Sequence, residues 1–319
     1  MNRFIPDPFL PILLATVALA TLFPAAGEVA GYLSTVATAA VMLLFFLHGI
    51  KLPRENLVAA LANWRLHLLI LGSTYLVFPL LGLGLSRLWP ALLPDDLWAG
   101  VLFLCALPST VQMSIAFTSM ARGNVAASVT SAAASNLLGI AFTPLIAGAL
   151  LHAQGGGDVP LSGIWKVVLQ LLLPFVVGHL LRPWLAAWAA RRKGLISWSD
   201  RLTILLSVYS AFSAAVIDGI WSRIPFTTLL VLVLVCAALL ATMMLLTFNS
   251  ARLAGLAPDE QRSALYCGSF KSVVSGVPMA RVLFPSAEIG AMILPVMMYH
   301  QLQMMFSATL APRQAKQIP

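Results

Sequence analysis

Residues 93–121 read LPDDLWAGVLFLCALPSTVQMSIAFTSMA, an apolar stretch of membrane-spanning length that a proline interrupts near its middle. A helix that crosses a bilayer needs about 20 predominantly apolar residues. Pro108 lacks a backbone donor and its ring clashes with the preceding turn, so the helix is expected to break around Leu107-Pro108-Ser109. The stretch therefore predicts a membrane span made of two half-helices.

The remainder of the chain has the same membrane character. Of its 319 residues, 60% are hydrophobic and 9% are charged, whereas about a quarter of the residues in soluble domains are charged. The apolar runs are continuous rather than alternating, which favours helices over a β-barrel. The sequence predicts an all-α polytopic membrane protein, a single membrane domain over 1–319 with ten transmembrane helices. The predicted spans are 9–24, 29–50, 66–89, 97–121, 124–150, 162–188, 200–220, 226–250, 261–284 and 287–310.

Basic residues are distributed unequally between the two sides of this ten-span arrangement. Fourteen of the 19 fall on the side of both termini, four on the opposite side, and Lys271 lies inside span nine. The positive-inside rule then places both termini in the cytoplasm of an integral protein of the bacterial inner membrane. The basic residues lie in short loops without a stripe of interleaved aromatics, so a nucleic-acid partner is not expected.

A second stretch matches the first. Residues 257–284 read APDEQRSALYCGSFKSVVSGVPMARVLF, and their Ala-Pro-Asp-Glu opening lies 164 residues after Leu93-Pro94-Asp95-Asp96. The same offset aligns Leu107-Pro108-Ser109 with Lys271-Ser272-Val273. Ten spans divide into two sets of five, and an odd number per repeat inverts the second copy. We expect inverted repeats over 1–155 and 156–319, with helices four and nine broken and crossing, because interrupted helices at corresponding positions mark transporter sites.

Lys271 is the charged residue that the spans place deepest in the membrane. Such a lysine costs a few kcal/mol or more and needs a cavity or a partner. Three roles stay open: a fixed cation for an anionic substrate, a proton carrier, and a structural lysine bonded to carbonyls of a broken helix. The candidate substrate and ion-binding residues are Pro108, Ser109, Thr110, Gln112, Ser114, Ser128, Asn136, Ser269, Lys271, Ser272, Ser275 and His300.

Some of these candidates have a simpler interpretation. His300 aligns with Asn136 under the 164-residue offset, but a lone histidine among spans is more often a packing residue. The hydroxyls of 128–135 fit close helix packing as well as ligand binding. The sequence contains no catalytic motif, so it is not expected to be an enzyme, and no cofactor is expected.

Residues 114–129, SIAFTSMARGNVAASV, resemble the bile acid:sodium symporter family, whose members carry organic anions, usually with sodium. The resemblance covers nearly the whole chain and implies ten helices, two inverted five-helix repeats and broken helices four and nine. It makes Ser114 and Ser128 remnants of sodium ligands. Elsewhere the family's sodium ligands are replaced, by Ile115, Ala132, Tyr266, Phe270 and Lys271. This departure resembles the divergent branch typified by the seventh vertebrate member.

The leading hypothesis is a secondary transporter that moves a small organic anion by alternating access, with sodium coupling doubtful. The coupling ion would be sodium or a proton, and membrane lipid is the other expected partner. The oligomeric state is left open. The alternative is a non-transporting membrane regulator or ligand sensor that uses the same cavity. Ligand flux across sealed vesicles separates the two.

Overall fold

The computed structural model describes residues 9–51, 63–154, 168–217, 219, 224–285 and 288–316, and the long regular elements in these ranges are all helical. This confirms the all-α prediction. A π-helical turn over Ser73–Val77 lies within α3, and another over Val168–Leu172 precedes α7. The helices are α1 (Phe9–Leu22), α2 (Gly27–Lys51), α3 (Trp64–Leu88), α4 (Asp95–Ala106), α5 (Val111–Met120), α6 (Val125–Ala153), α7 (Leu173–Leu180), α8 (Arg182–Arg191), α9 (Lys193–Ile217), α10 (Phe226–Leu253), α11 (Pro258–Ser269), α12 (Val273–Leu283) and α13 (Ile289–Ala315).

By length and composition, five of the described helices can cross a membrane: α2, α3, α6, α10 and, from Gly194, α9. Two bent helix pairs raise the number to seven: α4 with α5, at 64°, and Leu169–Leu180 with α8, at 93°. Exposed apolar side chains such as Leu76, Leu234 and Leu245 are more stable in contact with lipid than with water. The protein is therefore an integral membrane protein with multiple spans. The full set of ten, which also counts α1, α11–α12 and α13, stays a prediction.

The prediction of a continuous span six over 162–188 is wrong. Its residues 162–167 lie outside the described part of the chain, and helix α7 ends at Leu180. The chain then turns by 93° and begins α8 at Arg182. Pro183 explains the bend, because it has no N–H with which to continue the hydrogen bonding of α7, and a proline is tolerated in the first turn of a new helix.

The described residues form two compact units, each assembled from separated segments. The first lies within Met1–Lys51, Leu161–Ile224 and Val277–Ala291. Here α2 packs against α7, and both α1 and α2 pack against α9. At one end of this unit the Lys51 ammonium lies 2.9 Å from a carboxylate oxygen of Asp200.

Two glycines allow α2 and α7 to approach closely. A methyl group on Gly49 would collide with the main chain of α7 at Phe175, and one on Gly178 would collide with the carbonyl of Phe46 on α2. Small residues at helix contacts are the usual means of close packing inside membranes. The backbones of these two helices are therefore in direct contact.

The second unit lies within Leu52–Pro160, Pro225–Gly276 and Met292–Pro319. Helix α11 packs against α10, α5, α6 and α3, and α4 packs against α6. One apolar cluster of this unit joins Leu66 and Ile70 of α3 to Ala264 and Cys267 of α11. Residues from both predicted broken spans thus lie in one unit, together with α6, which follows the first of them.

Candidate functional site

The predicted break in span four is present. Helix α4 ends at Ala106 and α5 begins at Val111, so residues 107–110 are not helical; they are called the first break below. Leu107 and Thr110 both have extended backbone angles, as expected around Pro108. A break of this kind leaves carbonyl groups at the end of α4 without their helical partners.

Each of the five carbonyl groups from Cys105 to Ser109 accepts a hydrogen bond from another element. Unpaired carbonyls inside a membrane protein are costly, so this complete pairing is what makes the break stable. The donors, in the order of the acceptors, are Lys271 Nζ, Thr143 Oγ1, Lys271 Nζ, the Ser272 amide and Asn136 Nδ2, at 2.8, 2.9, 2.7, 3.0 and 2.6 Å.

The predicted break in span nine is also present. Helix α11 ends at Ser269 and α12 begins at Val273, and residues 270–272 between them form the second break. The amide of Gln303 on α13 braces it: its oxygen accepts from the Lys271 amide at 3.0 Å, and its nitrogen donates to the Lys271 carbonyl at 3.1 Å. The Tyr299 hydroxyl donates to the Ser269 carbonyl at 2.7 Å. Helix α13 therefore provides hydrogen-bond partners for backbone groups that the second break leaves without helical partners.

The first break is braced in a corresponding way by α6. The Ser109 amide donates to Ser135 Oγ at 3.0 Å, while Asn136 donates to the Ser109 carbonyl. Asn136 also accepts a 2.7 Å hydrogen bond from the hydroxyl of Ser275 in α12. Ser272 caps that helix, because its hydroxyl accepts from the Ser275 amide at 3.1 Å. Asn136 thus joins the first break to the first turn of α12.

Lys271 is 1% exposed, and its ammonium group donates to three carbonyl oxygens. These belong to Thr74 at 3.0 Å and to Cys105 and Leu107. An ammonium has three donors, so all of them are used. It also lies 4.1 Å from the centre of the Phe78 ring, within the range of a cation–π contact. The C-terminal end of α4 adds the negative end of a helix dipole beside this cation.

The carbonyl of Thr74 is available because of the π-helical turn in α3. The Phe78 amide, which would pair with Thr74 in an α-helix, bonds instead to the Ser73 carbonyl. The next amide position is Pro79, which has no N–H. All three acceptors of the Lys271 ammonium are therefore carbonyls that an interrupted helix has left unpaired.

An aromatic cluster occupies the positions where the family resemblance places sodium ligands. Phe117, Tyr266 and Phe270 have ring centres 5.6–6.0 Å apart. The Tyr266 hydroxyl donates to Gln314 at 2.8 Å. Of the three, Tyr266 and Phe270 present bulky rings where the resemblance implies oxygen ligands, and a hard cation such as sodium prefers oxygen.

The two serines regarded as remnant sodium ligands are buried and have partners in the protein. Ser114 donates to the Tyr266 carbonyl at 3.3 Å and lies 3.4 Å from the Ser109 hydroxyl. Ser128 donates to the hydroxyl of Thr118 at 2.9 Å. In the described residues no group of three or more His, Cys, Asp or Glu side chains is arranged to hold a metal ion.

The predicted site residues do not all lie at the breaks in the same way. Thr110 is buried at the end of the first break, while the side chain of Gln112 in the first turn of α5 is exposed. Ser269 bonds back to the Leu265 carbonyl within its own helix. His300 contacts Gln303 at 2.9 Å and is one contact removed from the second break.

Sequence reasoning missed several residues that hold the breaks, among them Gln303, Tyr299 and Thr143. Gln303 lies one helical turn after His300, on the same face of α13. Its amide can pair with both backbone groups of one residue, which an imidazole cannot. The amide side chain at this position could therefore have identified Gln303 as a partner for a broken backbone.

Comparison with known proteins gives the family. The profile of the SBF-like CPA transporter family matches residues 7–316. The chain belongs to the SBF-like CPA transporter family. This membership confirms the resemblance drawn from residues 114–129 and makes the protein a secondary transporter rather than an enzyme.

Individual relatives of the SBF-like family match over almost the full length. The putative symporter YfeH of Escherichia coli K12 is 46% identical over 311 residues, covering 98% of this chain and 93% of that protein. An uncharacterized protein of Pseudomonas aeruginosa is 48% identical over 314 residues, covering 98% and 94%. The sodium/bile acid cotransporter 7 of Rattus norvegicus is 28% identical over 319 residues, covering 98% and 93%.

Proposed function

We propose that this protein transports a small organic anion by alternating access, and that the Lys271 ammonium takes the place of a coupling sodium ion. The observation that carries the proposal is the set of three carbonyl oxygens around Nζ, at 2.7–3.0 Å. A cage of carbonyl oxygens between broken helices suits a monovalent cation. Here the chain supplies that cation itself.

The bonding of Lys271 favours a fixed charge over a proton carrier. A neutral amine has two N–H donors and could not keep all three hydrogen bonds. Deprotonation would therefore leave one buried carbonyl unpaired, which costs about 1–3 kcal/mol. The aromatic cluster of Phe117, Tyr266 and Phe270 supports the same conclusion, because it offers no carboxylate to a sodium ion.

The substrate would bind at the half-helix ends. Helices α5 and α12 both begin at a break, so their first turns present positive dipole ends, which favour an anion. The exposed side chain of Gln112 in the first turn of α5 is a candidate contact. The relatives named sodium/bile acid cotransporter 7 are consistent with an organic anion.

We further propose the ten-helix architecture with inverted repeats over 1–155 and 156–319. Two contacts support it, because they join residues that the 164-residue offset had aligned: Lys271 with Leu107, and Ser272 with Pro108. In addition, one residue of each break has both its amide and its carbonyl hydrogen-bonded to side chains of a later helix. Ser109 is bonded to α6 in this way, and Lys271 to α13. The distribution of basic residues supports cytoplasmic termini in a bacterial inner membrane, and YfeH comes from a bacterium with such a membrane.

The test uses the purified protein in sealed vesicles. A bile acid and a panel of small carboxylates are first screened for thermal stabilisation, and the anions that stabilise are then assayed for uptake with sodium or choline as the external cation. We expect equal uptake in both salts. Uptake that requires sodium would overturn the proposed role of Lys271, and binding without flux would favour the ligand sensor.

A further inference from the structure

A cavity of about 280 Å³ lies in the first unit, between the start of α2 and the end of α9. Its volume is near the lower end of the range for small-molecule sites. Both walls combine small apolar side chains with serine hydroxyls. The lining residues include Ala26, Gly27, Ala30 and Ser34 of the α2 side and Ser213 and Ile217 of α9.

Arg281 of α12 belongs to the same unit and bonds to this wall. Its Nη2 donates to both the carbonyl and the hydroxyl oxygen of Ser34, each at 2.8 Å. Its Nε is buried and has no hydrogen-bond partner among the described residues. The guanidinium thus has a strong donor to spare next to a residue that lines the cavity.

Ser213 provides a second unpaired group. It is 1% exposed and lines the cavity, and its hydroxyl has no partner in the part of the chain that the structure describes. A buried polar group without a partner is costly, so such a group in a native structure calls for an explanation. The amides in the first turn of α2, beginning at Gly27, lie at the same cavity and are also without helical partners.

The charge of Arg281 is not balanced by a carboxylate in the part of the chain that the structure describes. The ion pair found there joins Lys51 and Asp200, and Glu28 at the start of α2 is exposed. A half-buried guanidinium in an apolar unit is stabilised by an anion, and its planar donors match a carboxylate or phosphate.

We propose that this cavity binds an oxyanion, a carboxylate or phosphate group that carries a small apolar part. Arg281 Nε, the hydroxyl of Ser213 and the first turn of α2 would donate to it, and the alanines and Ile217 would cover its apolar part. The anion has two sources, a small soluble molecule or the headgroup of an anionic lipid. This site is separate from the breaks and does not depend on the transport proposal.

The test measures anion binding to the purified full-length protein in neutral detergent. Inorganic phosphate and butyrate are titrated at constant ionic strength while thermal unfolding is followed, and native mass spectrometry measures retained phosphatidylglycerol. We expect saturable stabilisation by a soluble anion or retention of the lipid, whichever source is used. Arg281→Gln should weaken the affinity for the anion by about tenfold or more, since a charged hydrogen bond is lost. The exposed Arg313→Gln is the matched control and should leave it unchanged.

Ser213→Ala keeps the test decisive if Arg281→Gln does not fold. Because the Ser213 hydroxyl has no partner within the described ranges, its removal should cost little stability while still weakening anion binding several-fold. Absence of both soluble-anion and lipid binding would overturn the proposal. Binding that Ser213→Ala and Arg281→Gln leave unchanged would also overturn it.

Discussion

Replacing Lys271 by methionine should destabilise the protein strongly, although the two side chains are similar in length. The substitution removes the ammonium and leaves the carbonyls of Thr74, Cys105 and Leu107 without a donor. A buried acceptor without a partner costs about 1–3 kcal/mol, so three should cost at least about 3 kcal/mol. For large domains, 1 kcal/mol corresponds to about 2–4 °C in the unfolding midpoint, which gives a fall of about 6–12 °C.

The assay is thermal unfolding of the purified protein in detergent, with Lys316→Met as the control because that lysine is exposed. The control should change the midpoint little. Methylammonium, a small cation with three donors, should raise the midpoint of Lys271→Ala, which leaves space for it, and not that of the unmodified protein. If Lys271→Met unfolds at the same temperature as the control, the ammonium does not hold the two breaks together and the reasoning is refuted.

Three other substitutions test the packing around the breaks and between helices. Gln303→Leu should lower the free energy of unfolding by about 2–4 kcal/mol, because it leaves one amide and one carbonyl of the second break unpaired. The control Gln301→Leu, at a half-buried position, should cost less. Equal losses in thermal unfolding would contradict the bracing role of Gln303. Gly178→Ala should destabilise by about 1–3 kcal/mol, because the added methyl group meets the main chain of α2. Gly84→Ala should stabilise by about 0.5–1 kcal/mol, because a methyl group there meets no atom within 4 Å and the position is helical; a loss at Gly84 would show that its backbone needs glycine.

The two breaks were predictable because their causes are local. Pro108 removes a donor wherever it stands, and the Gly and Ser content of span nine lowers its helix propensity. The Pro-Asp-Asp and Pro-Asp-Glu openings also lie where α4 and α11 begin, at Asp95 and Pro258. The sequence thus contained enough information to identify where the chain leaves the helical path.

The partners of Lys271 were not predictable in the same way. The sequence left three roles open. One of the hydrogen bonds that favour the fixed charge joins the Lys271 ammonium to the carbonyl of Thr74, which is 197 residues away in the sequence. That carbonyl is free because of a π-helical turn and Pro79, a combination whose effect depends on which amide the turn pairs with which carbonyl. The partners of Lys271 therefore depend on tertiary contacts, which local sequence patterns do not contain.

One prediction failed and one bracing residue was missed, each for a reason that the residues explain. Span six was extended to 188 because Trp184 and Leu185 continue the apolar run, but Pro183 carried the signal for the bend. His300 was singled out on α13, whereas Gln303 was not. Bracing a broken backbone needs a donor and an acceptor on one group, and an amide provides both.

The cation between the two breaks is part of the polypeptide, so it has no dissociation constant. Dilution cannot empty its site, and lithium or potassium cannot compete for it. In a carrier built this way, no metal ion is loaded or unloaded at this position during the cycle. The direction of net movement would then follow the concentration difference of the solute itself, or of a second solute exchanged for it.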